Sequence, residues 1–438
     1  MKDLFNKIMQ SSDAAELFKK EEEVTSIGIL QGIVQKINGK KGFDVSLRLV
    51  KDGNMGSAVS TSLDDETIIE RALLSCKYQK LDPVDFSDNT PTDVKCYDEK
   101  VISISVEDMV AEGERILELF KKYDKDIVPD IHIRKGVKNI HIVNSKGFDH
   151  NYSSTNYSVS MSTKTPKGFT EVGFEIDGAN FNVISELDIM NLIHKHHISQ
   201  NRVTVATNRM PVIFSGSAMG SLMMRLIAGV KAGNVTKKLS PLDEKLNEQV
   251  FSSAITIRDN GTLDWGLGTS AFDDEGIKST DTMLIDKGIL RSYLSSISEA
   301  KKMNITPTGN SFKRTMFTQD IEDSPSVDCT NLIIEGNSVP DEELIQSVKR
   351  GIFIDSVMGA HTGNIVAGDY SLNIGCGYLI EDGKLTGKVM DAMVAGNIYD
   401  DFKKISAIGT KQEIMRTIFY TIGYSPIVLF DELSIVGK

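Results

Sequence analysis

The chain has 438 residues, a formal net charge of −12, 40% hydrophobic residues and 25% charged residues, an ordinary globular composition long enough for two domains or three. Lysine and arginine cluster no further than short pairs such as Lys237-Lys238, which argues against a nucleic-acid footprint. Four cysteines (Cys76, Cys96, Cys329, Cys376) stand far apart with no C-x-x-C, as in a reducing cytoplasm, and no apolar run approaches the roughly 20 residues of a membrane helix.

The first residues, "MKDLFNKIMQSSDAAELFKKEEEV", read as a charged amphipathic helix without a signal-peptide core. Residues 24–60 alternate apolar and polar side chains, which predicts a β-meander, with hairpin signals at Asn38-Gly39 and Asp52-Gly53. A helix is expected over 63–78, with Ser62 or Asp64 as cap and acids in its first turn. The polar, proline-bearing "KLDPVDFSDNTPTDVKCYDEK" connects it to a helix at about 106–123. Strands follow in "DIHIRKGVKNIHIVNSKGFDHNYSSTNYSVSMSTKT", then a helix at about 183–198 ending in "HKHHISQNR".

Residues 215–233, "SGSAMGSLMMRLIAGVKAG", have helical spacing, with Leu222, Met223, Leu226, Ile227 and Val230 about a turn apart. Small residues crowd the start (Gly216, Ser217, Gly220, Ser221), the only charges are Arg225 and Lys231, and there is no His, Asp, Glu or Cys. The remainder is strand-rich with glycine turns, and helices return at 341–349 and 396–406. Elements segregate instead of alternating βαβα, so the fold class is α+β. We expect an N-terminal α+β domain over 1–200, with subparts about 1–80 and 100–200, and a larger β-rich C-terminal domain over 207–438. The boundary falls in "SQNRVTVATNRMP".

Several stretches resemble chemistry. His194 and His197 share a helix face and with His196 could touch a metal, although a solvated or capping cluster is the plainer reading. "GLGTSA" (266–271) matches G-x-G-x-x-A, but "FDDEG" follows at once, so a glycine-rich turn is expected in place of a dinucleotide site. Asp273, Asp274 and Glu275 lack EF-hand spacing and read as an exposed loop. No G-x-S-x-G elbow exists and no Cys adjoins a His. His361, in the glycine-rich "VMGAHTGNIVAGDYS", could act as acid or base, with Asp369 as its partner.

Together these pieces resemble the TldD/PmbA family, also called modulators of DNA gyrase or TldD/TldE peptidases. The matching stretches are "LNEQVFSSAITIRDNGT", "FDDEGIKSTDTMLIDKGILRSYL", "PTGNSFKR", "GNIVAGDYSLNIGCGYLIEDGKLTGKVMDAMVAGNIYDDFKKI" and the tail "SPIVLFDELSIVGK". In the first half, "VQKINGKKGFDVSLRLVKDGNMGSAVS" and "IVNSKGFDHNYSSTNYSVS" are similar to the family's two N-terminal pieces. The resemblance implies that the helix over 215–233 corresponds to one carrying H-E-x-x-x-H in TldD-type members. There two His and a C-terminal Cys hold zinc and the Glu activates water. Counted back without gaps from "LNEQVFS", that hexad falls on residues 223–228, placing Met223, Met224 and Ala228 where the two His and the Glu would be. No His-Glu dipeptide occurs in the chain, and no Cys follows Ile422.

The departure resembles the TldE/PmbA branch, which pairs with a zinc-bearing TldD-type subunit. The resemblance implies a cytoplasmic metallopeptidase complex that cuts unfolded or leader peptides, in which this chain is a non-catalytic, peptide-holding partner. It would carry no cofactor of its own, would use zinc only through its partner, and would form a homodimer when alone. No membrane or direct nucleic-acid partner is expected. The strand-rich walls suit an extended peptide; His361, Asn364 and Asp369, on a loop over 359–371 lining a central cleft, and Asn310, in the "TGN" at 308–310 nearby, are the candidates to read its backbone. Two other readings stand beside it: a regulatory protein acting on gyrase, and a hydrolase built around His361.

Overall fold

A computed structural model describes residues 1–79, 85–164, 170–314, 321, 324–417 and 420–438; residues 80–84 of the connector and Thr165, where the second strand series ends, lie outside the described residues. The first half is one antiparallel six-stranded sheet. Its strands are β1 (Ala14–Leu30), β2 (Ile33–Lys51), β3 (Asn54–Ser60), β4 (Asp130–Asn144), β5 (Asp149–Lys164) and β6 (Thr170–Gly178), in the order β3-β2-β1-β4-β5-β6. Among the described residues this half has the helices α1 (Lys2–Met9), α2 (Thr67–Gln79), α3 (Glu99–Ser103), α4 (Val106–Tyr123) and α5 (Glu186–Gln200).

Two local expectations need correction. The N-terminal helix stops at Met9, and β1 begins at Ala14. The alternation of Ala15 and Leu17 with polar neighbours is satisfied against Leu47 and Leu49 in a sheet core, and this tertiary pattern overrides the helical reading of the charged run. Asn38-Gly39 is not a turn. It lies inside β2, paired with Ser26 and Thr25. The reversal comes at Gln31-Gly32, whose φ values of 55° and 78° match those of Asp52-Gly53 at 50° and 74°, the left-handed pair that a two-residue hairpin turn requires. With register fixed by both turns, Ile37 falls opposite Ile27.

Alternation along the strands separates the two sheet faces. On one face Ile27, Ile29, Ile131, Ile133, Tyr157 and Val159 pack with Met109, Ile116 and Phe120 of α4 and Ile189 and Leu192 of α5. Both helices start at a reciprocal capping box, Ser105 with Asp108 and Ser185 with Asp188. The other face of the sheet carries the even-numbered residues of β1, β4 and β5 and turns towards the second half of the chain.

That second half places helix α6 (Gly216–Val230) in one hydrophobic core with strands of two sheets. One sheet includes Ile255–Asn260, Leu332–Gly336, Glu413–Arg416 and Thr421–Ser425; the other includes Asn208–Phe214, Arg350–Met358, Asp369–Glu381 and Val428–Val436. Ser215 caps α6 by accepting the Ala218 amide at 3.1 Å. The expected apolar stripe proves to be apolar burial on every side: of the helix's residues only Ser217 is exposed, as for a helix that is hydrophobic all round. The small residues serve close approach, since a Cβ on Gly216 would lie 2.0 Å from the Ser425 carbonyl oxygen and one on Gly220 2.1 Å from that of Arg416. The structure is β-rich α+β throughout. No helix among the described residues is long and apolar enough to cross a membrane.

Candidate functional site

A cleft of about 820 Å³ opens between the even-numbered face of the first sheet and loops of the second half. Its floor is set by register. Gly28, Ser26, Val24 and Glu22 of β1 stand opposite His132, Arg134, Gly136 and Lys138 of β4, and the last three face Ser158, Asn156 and Ser154 of β5. The far wall is supplied by Leu267–Ser270, Asp274, Phe312–Arg314, Arg416 and Tyr420.

Charges in the cleft are organised in local pairs. Glu22 is shared by Lys20 at 3.7 Å and Arg134 at 3.9 Å, and Arg416 pairs with Glu175. Arg314 Nε donates to Asp328 Oδ2 at 3.0 Å, the Tyr420 hydroxyl donates to the same oxygen at 2.7 Å, and the guanidinium lies 5.1 Å from the Tyr420 ring centroid. Asn156 Nδ2 donates to Asp177 Oδ1 at 2.6 Å. Burial, reinforced by Glu175, pushes the Asp177 carboxyl up to about 6. Burial likewise holds Lys138 below the ordinary lysine range and Tyr152 well above the ordinary phenol range.

Behind the cleft, a buried ionic cluster joins the two halves. Arg48 donates to Glu16 Oε1 from Nη2 at 2.7 Å and lies 3.9 Å from Glu275. Lys313, on the far wall, reaches back to donate to Ser46 Oγ at 3.1 Å, and burial pushes it down to about 8. The acidic triplet is therefore not an exposed loop: Asp273 is 1% and Glu275 3% exposed. The Asp273 carboxylate folds its own segment by accepting the amides of Glu275, Ile277 and Ser311 at 2.9–3.0 Å. That local bonding, invisible as spacing, turns three adjacent acids into a structural clamp.

The four residues selected to read a peptide do not converge on this cleft, and none of them lines it. Asn310 is buried, its amide nitrogen donating to Asp259 Oδ2 at 2.7 Å and to the Asp328 carbonyl at 3.0 Å. His361 and Asn364 share one exposed loop, and Asp369, also exposed, opens the strand Asp369–Glu381 that follows it. Asn364 Oδ1 accepts the Ala367 amide at 3.1 Å, and Asp369 Oδ1 accepts from Asn397 Nδ2 at 2.9 Å; among the described residues no hydrogen bond joins His361 to Asp369. The loop is anchored from beneath by Arg225, the one cation inside α6, through the Asp369 and Thr362 carbonyls at 2.6 and 3.0 Å.

The positions expected to correspond to a zinc helix are closed off. Met223 is 0%, Met224 3% and Ala228 8% exposed. Two thioethers and a methyl group do not fit a zinc ion, which takes imidazole, thiolate or carboxylate. The histidines of α5 disperse: His196 Nδ1 lies 2.7 Å from Thr163 Oγ1, His197 pairs with Asp124 at 2.9 Å, and His194 is exposed. Among the described residues no three His, Cys, Asp or Glu side chains are placed to hold a metal. "GLGTSA" forms turns and opens no helix.

A two-sheet body around a buried helix, joined to a helix-backed sheet with a polar cleft between them, defines the class of fold. Sequence profiles of a known family cover the chain in three parts: PmbA/TldA metallopeptidase domain 1 over residues 15–76, the central domain over 99–195 and the C-terminal domain over 207–437. The chain belongs to the PmbA/TldD metallopeptidase family. An uncharacterized protein of Methanocaldococcus jannaschii is 26% identical over 423 residues, 94% of each chain. The metalloprotease TldD homolog of Haemophilus influenzae is 30% identical over 218 residues, 50% of this chain and 44% of that protein. The crystal structure of TldE from Thermococcus kodakarensis superimposes with a TM-score of 0.90 at 21% identity, covering 100% of both chains.

Proposed function

We propose that this chain is a TldE/PmbA-type subunit of a TldD/TldE-like metallopeptidase of the cytoplasm, a non-catalytic partner that holds unfolded or leader peptides for a zinc-bearing TldD-type subunit. The observation that carries the reading is the chemistry of α6, which has Met223, Met224 and Ala228 buried in an apolar core where a zincin helix would offer ligands to an open coordination site. The cleft supports the peptide-holding half. Beside it, β3 pairs only with Val45–Lys51 of β2, so among the described residues no strand covers the outer edge of β2 from Ile33 to Asp44. Such an edge takes up an extended segment through main-chain hydrogen bonds.

The test is peptide turnover. The isolated chain should bind no stoichiometric zinc and cleave no disordered peptide, whereas addition of a TldD-type subunit should give cleavage that a chelator abolishes. Robust, chelator-insensitive turnover by the isolated chain would refute the proposal. Replacing Met223, Met224 and Ala228 by His, Glu and His should not create a peptidase, because the C-terminal Cys would still be missing and metal ligands need further groups to orient them. We propose the same division of the chain into 1–200 and 207–438. The motive is the largely exposed segment 201–211, where limited proteolysis should cut first; first cuts inside 212–438 would move the boundary.

A further inference from the structure

The cleft floor holds a partly buried cation that no described residue pairs with. Lys138 projects from β4 between its cross-strand neighbours Glu22 and Ser154. Among the described residues its ammonium has no hydrogen-bond or ion-pair partner, although it is partly buried and carries three donors. The acids closest in effect are Asp274 and Glu22, and both are engaged elsewhere. Asp274 accepts the Lys313 amide at 2.7 Å, and Glu22 is divided between Lys20 and Arg134. An ammonium withdrawn from water without a counter-charge is costly. The surroundings enlarge the imbalance: the cleft lining holds seven Lys or Arg against four Asp or Glu, in a chain whose net charge is −12.

We infer that Lys138 is the counter-ion of an anion subsite on the cleft floor, which takes one carboxylate of a bound extended peptide. The carboxylate is the peptide's C-terminus or an acidic side chain. This inference rests on the peptide-holding role proposed above and specifies which peptides are held. Lys36, also in the lining, is exposed to water, so Lys138 is the partly buried ammonium that one carboxylate would match. The carboxylates of Glu22 and Asp274 near it, and of Glu175 and Asp177 elsewhere in the lining, would repel the polyanionic backbone of a nucleic acid. Hydroxyls of Ser154 and Ser270 in the same lining can supply further donors to a carboxylate.

The experiment measures binding of the full chain to three forms of one disordered peptide: a free acid without Asp or Glu, its C-terminal amide, and that amide with one internal Asp. The free acid, the Asp-bearing amide or both should bind about tenfold more tightly than the neutral amide, as a charge-assisted hydrogen bond gives, and which of them gains identifies the source of the carboxylate. Lys138→Met should abolish the preference with the neutral amide unchanged, and Lys138→Arg should retain most of it. In the unsubstituted chain, the preferred peptide should protect Lys138 from acetylation, a readout independent of how either variant folds. Equal binding of all three forms, or a preference that survives Lys138→Met, would overturn the subsite and leave the peptide-holding role standing. Failure of every form to bind would overturn both.

Discussion

Helix α6 and the cleft face of the first sheet each hold a cation away from bulk water, and the protein treats the two in opposite ways. Arg225 is 0% exposed, and its guanidinium is occupied by three backbone carbonyls: Asp369 at 2.6 Å from Nε, Ser221 at 2.7 Å from Nη1 and Thr362 at 3.0 Å from Nη2. Burial pushes it down to about 10, which leaves it charged at neutral pH. Lys138 sits at the floor of an open cleft with no hydrogen-bond or ion-pair partner among the described residues. A buried cation saturated by fixed carbonyls is part of the scaffold, whereas an unsaturated one facing a cavity is a place for something to arrive. The difference separates a helix whose side chains serve packing from a sheet face that lines a cavity. The polar groups still available to a ligand lie on the sheet face opposite the helices.

If α6 is scaffold, damage to it should cost stability first. Arg225→Met strands three carbonyls that lose their donors, and we expect a loss of about 4 kcal/mol, read by chemical denaturation, with faster amide exchange across residues 359–369. A loss well under 1 kcal/mol would mean that water replaces the guanidinium and that α6 is not sealed. Leu226→Ala removes a fully buried side chain and should cost about 3 kcal/mol through lost burial and a residual cavity. Gly220→Ala should cost about 2 kcal/mol, because its Cβ would meet the Arg416 carbonyl at 2.1 Å. A neutral result there would show that the strand Glu413–Arg416 can step aside. None of the three should alter peptide preference in the surviving folded fraction, since no side chain of α6 lines the cleft.

The sequence made parts of this legible for physical reasons. Helices α4 and α5 announce themselves because capping boxes and apolar spacing are local signals. The bareness of α6 was readable as composition, but its burial on every side was not, because that depends on two sheets assembled from distant segments. Gln31-Gly32 was passed over in favour of Asn38-Gly39, and only the register of a 17-residue strand against a 19-residue one decides between them. A cleft was expected, but its lining was not legible, for a related reason. "HIRKGVKNI" displays the alternation that puts His132, Arg134 and Lys138 on one face, yet nothing in it says which face stays open. His361 and Asn364 attracted attention because glycine-rich loops are exposed, and they are exposed. Exposure does not place them on the cleft, and Asn310 shows the converse, a polar residue consumed by the buried Asp259 carboxylate and the Asp328 carbonyl.

The comparison can be sharpened last at Asp177, where the cleft stores a smaller electrostatic strain. Its carboxyl is raised from 3.8 to about 6, chiefly by burial and then by Glu175, with Asn156, Arg416 and Arg134 opposing. Between about pH 4 and 6 the folded chain therefore holds a proton that the unfolded chain has released. The native state binds more protons in that window, so this group's contribution to stability falls as pH rises through 6. Asp177→Asn removes the titration and keeps a side chain able to meet Asn156. The variant should melt higher than the unsubstituted chain at pH 7.5, with the difference closing as pH falls towards 4. Because cleft groups answer to an open cavity, a bound peptide that leaves α6 untouched should change this pH dependence. An Asp177→Asn difference that is flat with pH would show that water already solvates the carboxylate and that this end of the cleft is as wet as the outer surface.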